Sequence, residues 1–221
     1  MRYGVILAAG SGKRFGKEKQ LENLKGIPLY RYSVEHFLKS GMFEKVFLVV
    51  SEEKKDRFFI ESQKVQIVFG GRERSDSVKN VLNKIRKSYS VEAGDFIFIH
   101  DAARPLIHKE YLKALDDTLK TFPAATLGYK VTDALKTGNE AGRIEGEVNR
   151  EKIWAVTTPQ GFHLKTLIEL YMKAGEPVYD ETALFSRAGY AVKIVESGRM
   201  NLKITYPEDW EIAEKLMETI F

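Results

Sequence analysis

Two kinds of segment alternate along the chain. Short runs dense in Val, Ile, Leu and Phe, such as KVFLVV at 45–50 and FIFIH at 96–100, are separated by longer stretches whose apolar residues recur every three or four positions. The first kind fits strands buried on both faces of a sheet and the second fits amphipathic helices. Their alternation predicts an α/β fold of β-α-β units with a mainly parallel sheet flanked by helices. Strands are expected at 3–8, 45–50, 66–69, 96–100, 124–130, 153–157 and 191–195. Helices are expected at 28–39, 75–87, 109–122, 164–173 and 207–218, the first and last opening on a proline, whose missing N–H costs nothing in a first helical turn.

One segment breaks the pattern. TDALKTGNEAGRIEGEVNRE, 132–151, is polar, carries three glycines and sets Arg143, Glu145 and Glu147 in alternation with small or apolar residues. It reads as an exposed β-hairpin arm inserted within a single domain spanning 1–221. An isolated two-stranded ribbon is marginal in water, so packing against a second subunit would stabilise it and the expectation is a homodimer. A mobile insertion loop is the other reading.

Composition narrows the classes. The 221 residues are 43% hydrophobic and 30% charged, enough for a sizeable core under an ordinary polar surface. The formal net charge of +4 suits an anionic small molecule or weak nucleic-acid affinity. Cysteine is absent, which excludes disulfides and thiolate chemistry, and four scattered His make a zinc site improbable. Apolar runs are far shorter than the ~20 residues of a membrane helix, and MRYGVILAAG enters a strand without a signal-peptide pattern, so the expected location is cytoplasmic with no membrane partner.

The candidate chemistry begins at LAAGSGKRFGKEKQ, 7–20. In open α/β sheets ligands bind beyond the carboxyl ends of the strands, which is where this loop falls. Its glycines, Gly10, Gly12 and Gly16, do not fit GxGxxG because Phe15 occupies the third glycine position, and no P-loop motif is present. Lys13, Arg14, Lys17 and Lys19 crowd together with only Glu18 among them, on a loop expected to have no hydrophobic face to bury. A polyanion such as a nucleoside triphosphate would relieve that repulsion. Nucleic acid is a poorer partner, since the cations converge on loops instead of ranging along one face with aromatics.

Other segments fall at comparable places. In IHDAARP, Asp101 leaves a strand at the same sheet edge, where a carboxylate serves a sugar hydroxyl, a metal or simply a turn, and His100 fits a structural hydrogen bond. GGRERSDSV, 70–78, offers exposed amides and the Ser77 hydroxyl, with Ser75 expected as helix N-cap. NREKIWAVTTPQGF supplies Arg150 and Thr158, and NLKITYPED supplies Lys203.

Taken together and in this order, LAAGSGKRFGKEKQ, GGRERSDSV, IHDAARP, TTPQGF, YDETALF and NLKITYPED resemble the 2-C-methyl-D-erythritol 4-phosphate cytidylyltransferases of non-mevalonate isoprenoid synthesis. The resemblance covers essentially the whole chain. It implies a Rossmann-like nucleotidyltransferase fold with a dimerising arm at 132–151, and transfer of CMP from CTP to a sugar phosphate with Mg²⁺ or another divalent cation. By the same resemblance Arg14 and Lys19 contact the CTP phosphates, while Arg150, serving the neighbouring subunit, and Lys203 hold the acceptor phosphate. Ala8, Ala9, Gly10 and Gly12 would meet the nucleotide through backbone amides, Gly71 and Ser77 would read cytosine, and Asp101 with Ala102 would lie by the ribose, Asp101 also near the metal. Arg104, Asp133 and Thr158 would line the second substrate.

Three positions depart from the family pattern. Arg72 stands where an acid is frequent, leaving base recognition to the backbone, and Ala134 and Tyr179 stand where hydroxyls are usual. The last two keep ribitol 5-phosphate open as an alternative acceptor.

Overall fold

The computed structural model describes residues 1–10, 12–174, 178 and 180–220. Tyr179 and Ser11 lie outside them. In chain order the elements are β1 (Arg2–Leu7), β2 (Asn23–Leu24), β3 (Ile27–Pro28), α1 (Leu29–Lys39), β4 (Lys45–Val50), β5 (Val65–Phe69), α2 (Arg74–Ser88), β6 (Phe96–Asp101) and α3 (Lys109–Leu119). They continue as β7 (Ala124–Lys130), β8 (Leu135–Gly138), β9 (Ile144–Val148), β10 (Trp154–His163), α4 (Leu164–Lys173), α5 (Glu181–Arg187), β11 (Val192–Glu196) and α6 (Pro207–Ile220).

Seven strands form one sheet in the order β11-β7-β10-β6-β1-β4-β5, parallel throughout except that β10 runs antiparallel to both its neighbours. Side-chain alternation sends successive residues to opposite faces. Val46, Leu48, Phe96 and Phe98 pack with α1 and α3 through Phe37, Leu112 and Leu115, whereas Phe47, Val49, Ile97 and Ile99 pack with α2, α4 and α5 through Val81, Ile85, Leu167 and Phe185. Gly4 belongs to this fit, since a Cβ there would lie 2.7 Å from the Phe37 ring.

Several expected boundaries shift for physical reasons. The strand expected at 153–157 is the first half of a ten-residue β10, because at Pro159 the ladder slips register between Thr157 and Gln160 and then resumes. Pro28 is the N-cap of α1 instead of its first residue. Ser75 is not the N-cap of α2: the side chain of Glu73 accepts the Asp76 amide while that of Asp76 accepts the Glu73 amide at 3.0 Å, a reciprocal box made from acids, which also suit the positive end of the helix. The seven-residue α5 was not expected, and its N-cap is Asp180, which accepts the Thr182 amide at 2.7 Å.

Within 132–151, β8 and β9 pair antiparallel as a separate two-stranded ribbon. Ile144 on it is 70% exposed.

A third apolar cluster lies apart from the two sheet faces. Phe15, Leu24, Leu29, Leu106, Ile204, Ala213 and Met217 bring the first loop, the start of α1 and the last helix together.

Candidate active site

The loop after β1 is shaped by Gly12. Its φ of +66° is unfavourable for other residues, and a Cβ there would sit 2.0 Å from the Lys17 carbonyl oxygen. The amides of Phe15 and Gly16 donate back to the Gly12 carbonyl at 2.9 and 3.1 Å, closing a turn over 13–15. Phe15 then drops into the third cluster, 8% exposed and 5.5 Å from the Trp210 ring. The expectation of a loop with no apolar face to bury is corrected here: one aromatic ring, worth roughly 2–3 kcal/mol on burial, fixes the loop between its two cations. A second short turn, Lys19–Leu21, buries Lys19 and Gln20.

Because β1 and β6 are parallel with Leu7 beside Asp101, their carboxyl ends open at one edge. There Ala9, Gly10, Gly12, Arg14, Lys19, Gly71, Ser77, Asp101 and Lys203, drawn from four separated stretches of sequence, line a cavity of about 420 Å³. Leu7, Gln20, Arg72, Glu73, Arg74 and Ala103 complete its wall. The Ser77 hydroxyl accepts the Gly71 amide at 3.2 Å, and a Cβ on Gly71 would lie 2.1 Å from that of Asp76, so backbone comes close to the cavity there.

Charge in the cavity is unevenly paired. Lys203 Nζ lies 2.6 Å from Asp101 Oδ2, and Arg74 Nε lies 3.8 Å from Oδ1. Burial acts to raise the Asp101 pKa, but the Lys203 and Arg74 charges prevail and hold it at about 2. Lys19 is different. Burial lowers its pKa, the Lys203 and Arg14 charges push the same way, and among the described residues no carboxylate stands within ion-pair distance of it. Lys17, by contrast, is exposed and pairs with Glu22 at 2.7 Å.

The remaining expected residues lie elsewhere. Ala102 is wholly buried in the core, and Ala8 borders a smaller neighbouring recess with Ser51 and Phe58. Thr158 is 6% exposed, and its hydroxyl accepts the Asp101 amide at 3.0 Å and meets His100 Nδ1 at 3.1 Å, so it braces Asp101 from behind. Arg104 donates to the Asn201 carbonyl at 2.7 Å, tying the Asp101 loop to the segment before Lys203. Arg150, Asp133 and Ala134 are exposed at the base of the ribbon, where Arg150 donates to the Thr132 carbonyl at 2.5 Å.

His100 is fully buried, its Nε2 3.0 Å from the Arg104 carbonyl, and burial lowers its pKa to about 4. The unfolded chain therefore binds a proton near pH 6.5 that the native chain refuses, so this contribution is complete above pH 6.5 and is lost as pH falls toward 4. The loss amounts to roughly 3 kcal/mol. Urea midpoints taken between pH 7.5 and 4.5 should fall in the parent protein and fall much less in His100→Gln; equal slopes would contradict this source of acid sensitivity.

The family model described as 2-C-methyl-D-erythritol 4-phosphate cytidylyltransferase matches residues 3–219. The chain belongs to that family. An Aquifex aeolicus protein of that name is 38% identical over 98% of each chain, and a Dictyoglomus thermophilum one 35% identical over 93% of this chain and 92% of its own. Among solved structures, cytidylyltransferases of the same name from Francisella tularensis and Thermus thermophilus each share 26% identity. Their TM-scores are 0.84 and 0.81, over 97% and 99% of this chain and 99% and 100% of theirs.

Within this cytidylyltransferase, sequence reasoning missed the group behind the cavity wall. Arg74 Nη1 lies 2.9 and 2.6 Å from the two carboxylate oxygens of Glu181, which is 0% exposed, and the Tyr171 hydroxyl donates to Glu181 Oε1 at 2.8 Å. Burial opposes the Arg74 charge, but Glu181 and Asp101 more than offset it and raise its pKa. Arg74 opens a helix in GGRERSDSV and Glu181 follows the capping Asp180 in YDETALF, but nothing in either stretch shows that the two residues meet.

Proposed function

We propose that this protein transfers CMP from CTP to 2-C-methyl-D-erythritol 4-phosphate, giving the diphosphocytidyl sugar alcohol and pyrophosphate. The observation that carries the reading is the meeting of Arg14, Lys19 and Lys203 around Asp101 in one cavity at the carboxyl ends of β1 and β6. A sugar phosphate is already anionic at neutral pH, so its oxygen attacks the α-phosphorus in line without a general base, and pyrophosphate departs. The difficulty is charge. Two phosphate groups must approach each other while negative charge grows on the leaving oxygen, and fixed cations in a shielded site offset both.

In this reading the backbone at Ala9, Gly10 and Gly12 lies along the triphosphate, and Gly71 with Ser77 meets the base. The exposed Arg72 side chain stands at the rim. Asp101 suits a hard divalent cation held chiefly by phosphate oxygens: it is one ionised carboxylate, and no cluster of three acids or His occurs among the described residues. Bound there, Mg²⁺ would add positive charge beside the phosphates.

Pyrophosphate release over CTP, UTP and ATP, crossed with methylerythritol phosphate and ribitol 5-phosphate, tests the assignment. CTP with methylerythritol phosphate should be preferred, and preference for the ribitol compound would sink the acceptor assignment. No described helix is long and apolar enough to cross a membrane.

The ribbon of β8 and β9 exposes Ile144 and leads into Arg150, which supports a homodimer in which Arg150 completes the partner's site. Lys19→Ala and Arg150→Ala chains, each inactive alone, should recover activity on mixing, because a mixed dimer keeps one intact site. Full exchange gives about a quarter of wild-type activity, half the dimers being mixed and half their sites whole. No recovery would place Arg150 in its own subunit's site or in none.

A further inference from the structure

Glu181 has no contact with the cavity, yet a wholly buried carboxylate is costly and well-packed apolar residues in such places are often more stable. Its geometry shows what it holds. Asp180 caps α5, which sets Glu181 at the first helical position facing α2, and Tyr171 from α4 fixes one carboxylate oxygen. The other helix contributes Arg74, placed at its first position by the Glu73 and Asp76 box. One planar guanidinium therefore faces two acids: Nη1 is bound to Glu181 at 2.6 and 2.9 Å, whereas Nε reaches Asp101 only at 3.8 Å. The short contact to Asp101 is left to Lys203, at 2.6 Å.

We infer that Glu181 is a positioning residue for the transfer reaction: by retaining Arg74, it leaves the Asp101 carboxylate to Lys203 and so fixes the Lys203 ammonium at the cavity. The inference rests on the function proposed above. It makes Arg74 a divider of charge between two carboxylates, a task suited to a rigid fork and not to the point charge of a lysine. With Glu181 neutralised, Asp101 is the carboxylate remaining to Arg74 among those it faces here, and Arg74 then competes with Lys203 for it.

Two substitutions move Lys203 in opposite directions. In Glu181→Gln, Arg74 turns to Asp101 and Lys203 is released, so its acetylation by acetic anhydride, followed by peptide mass spectrometry against the exposed Lys84, should rise about threefold or more. In Arg74→Lys, the shorter side chain stays with Glu181 and abandons Asp101, so Lys203 is held more tightly and its labelling should fall. General loosening of the structure would raise labelling in both. A rise in both, or no change in either, overturns the inference.

Turnover supplies the second readout. Glu181→Gln should lower kcat about tenfold in the parent, yet change it less than threefold in a Lys203→Ala background, since the two act on one path. Equal factors in both backgrounds would assign Glu181 a purely structural role. If the parent released no pyrophosphate from CTP with either acceptor, the proposed function would fail, while the labelling shifts would still decide the placement of Lys203.

Discussion

Lys19→Met is expected to lower kcat by two orders of magnitude or more without lowering the thermal midpoint. The two halves of that expectation come from one fact, that Lys19 is 7% exposed and has no carboxylate within ion-pair distance among the described residues. Arg14 and Lys203 push against it, and burial weakens water's hold on its charge. In the free enzyme such a charge is a burden, and replacing it with an uncharged side chain of similar length removes the burden. In the reaction proposed above the same charge would face the phosphates, where loss of one preorganised group costs about 10²–10³ in rate. Steady-state turnover and a melting curve on the same preparation check both halves. A large fall in midpoint would make Lys19 a structural residue, and near-normal turnover would remove it from the site. Arg14→Ala should lose turnover to a similar extent, but Arg14 is exposed, so no gain in stability is expected from it.

The largest expected loss of stability is at Glu181. Replacing it with Ala removes both oxygens that receive Arg74 and the acceptor of the Tyr171 hydroxyl, and opens a void where three helices meet. Breaking a buried pair from one side costs about 3–5 kcal/mol. The Arg74 side chain is 32% exposed and regains some hydration, so the lower end is expected. For a chain of this size about 3 kcal/mol corresponds to a fall of roughly 6–12 °C in the unfolding midpoint. Calorimetry would read it directly, and a shift under 2 °C would show that Arg74 and Tyr171 find other partners. Glu181→Gln, which keeps the shape and the acceptor for Tyr171, should lose much less.

The difference between these residues also explains what could be read in advance. The runs at 45–50 and 124–130 emerged with their expected limits because strands buried on both faces leave an unbroken apolar signal. The strand through Pro159 was cut short because proline ordinarily ends a ladder, and only the neighbouring strands show that this one resumes. The seven residues of α5 carry too little periodicity to stand out, although Asp180 is an ordinary capping residue. At the site, the loop glycines and cations were visible as a local excess of one charge. The Arg74–Glu181 pair was not, since its members lie 107 positions apart and each looks like a surface charge until the helices are packed.

Phe15 carries a further consequence. The segment bearing Arg14 and Lys19 leaves the ribosome well before α6, but the ring that holds it in place lodges against Trp210, Ala213 and Met217 of that helix. The loop proposed to face the phosphates is thus translated before the helix that completes its shape. A nascent protein halted before that helix would carry the glycines and the cations in order and still lack a working cradle.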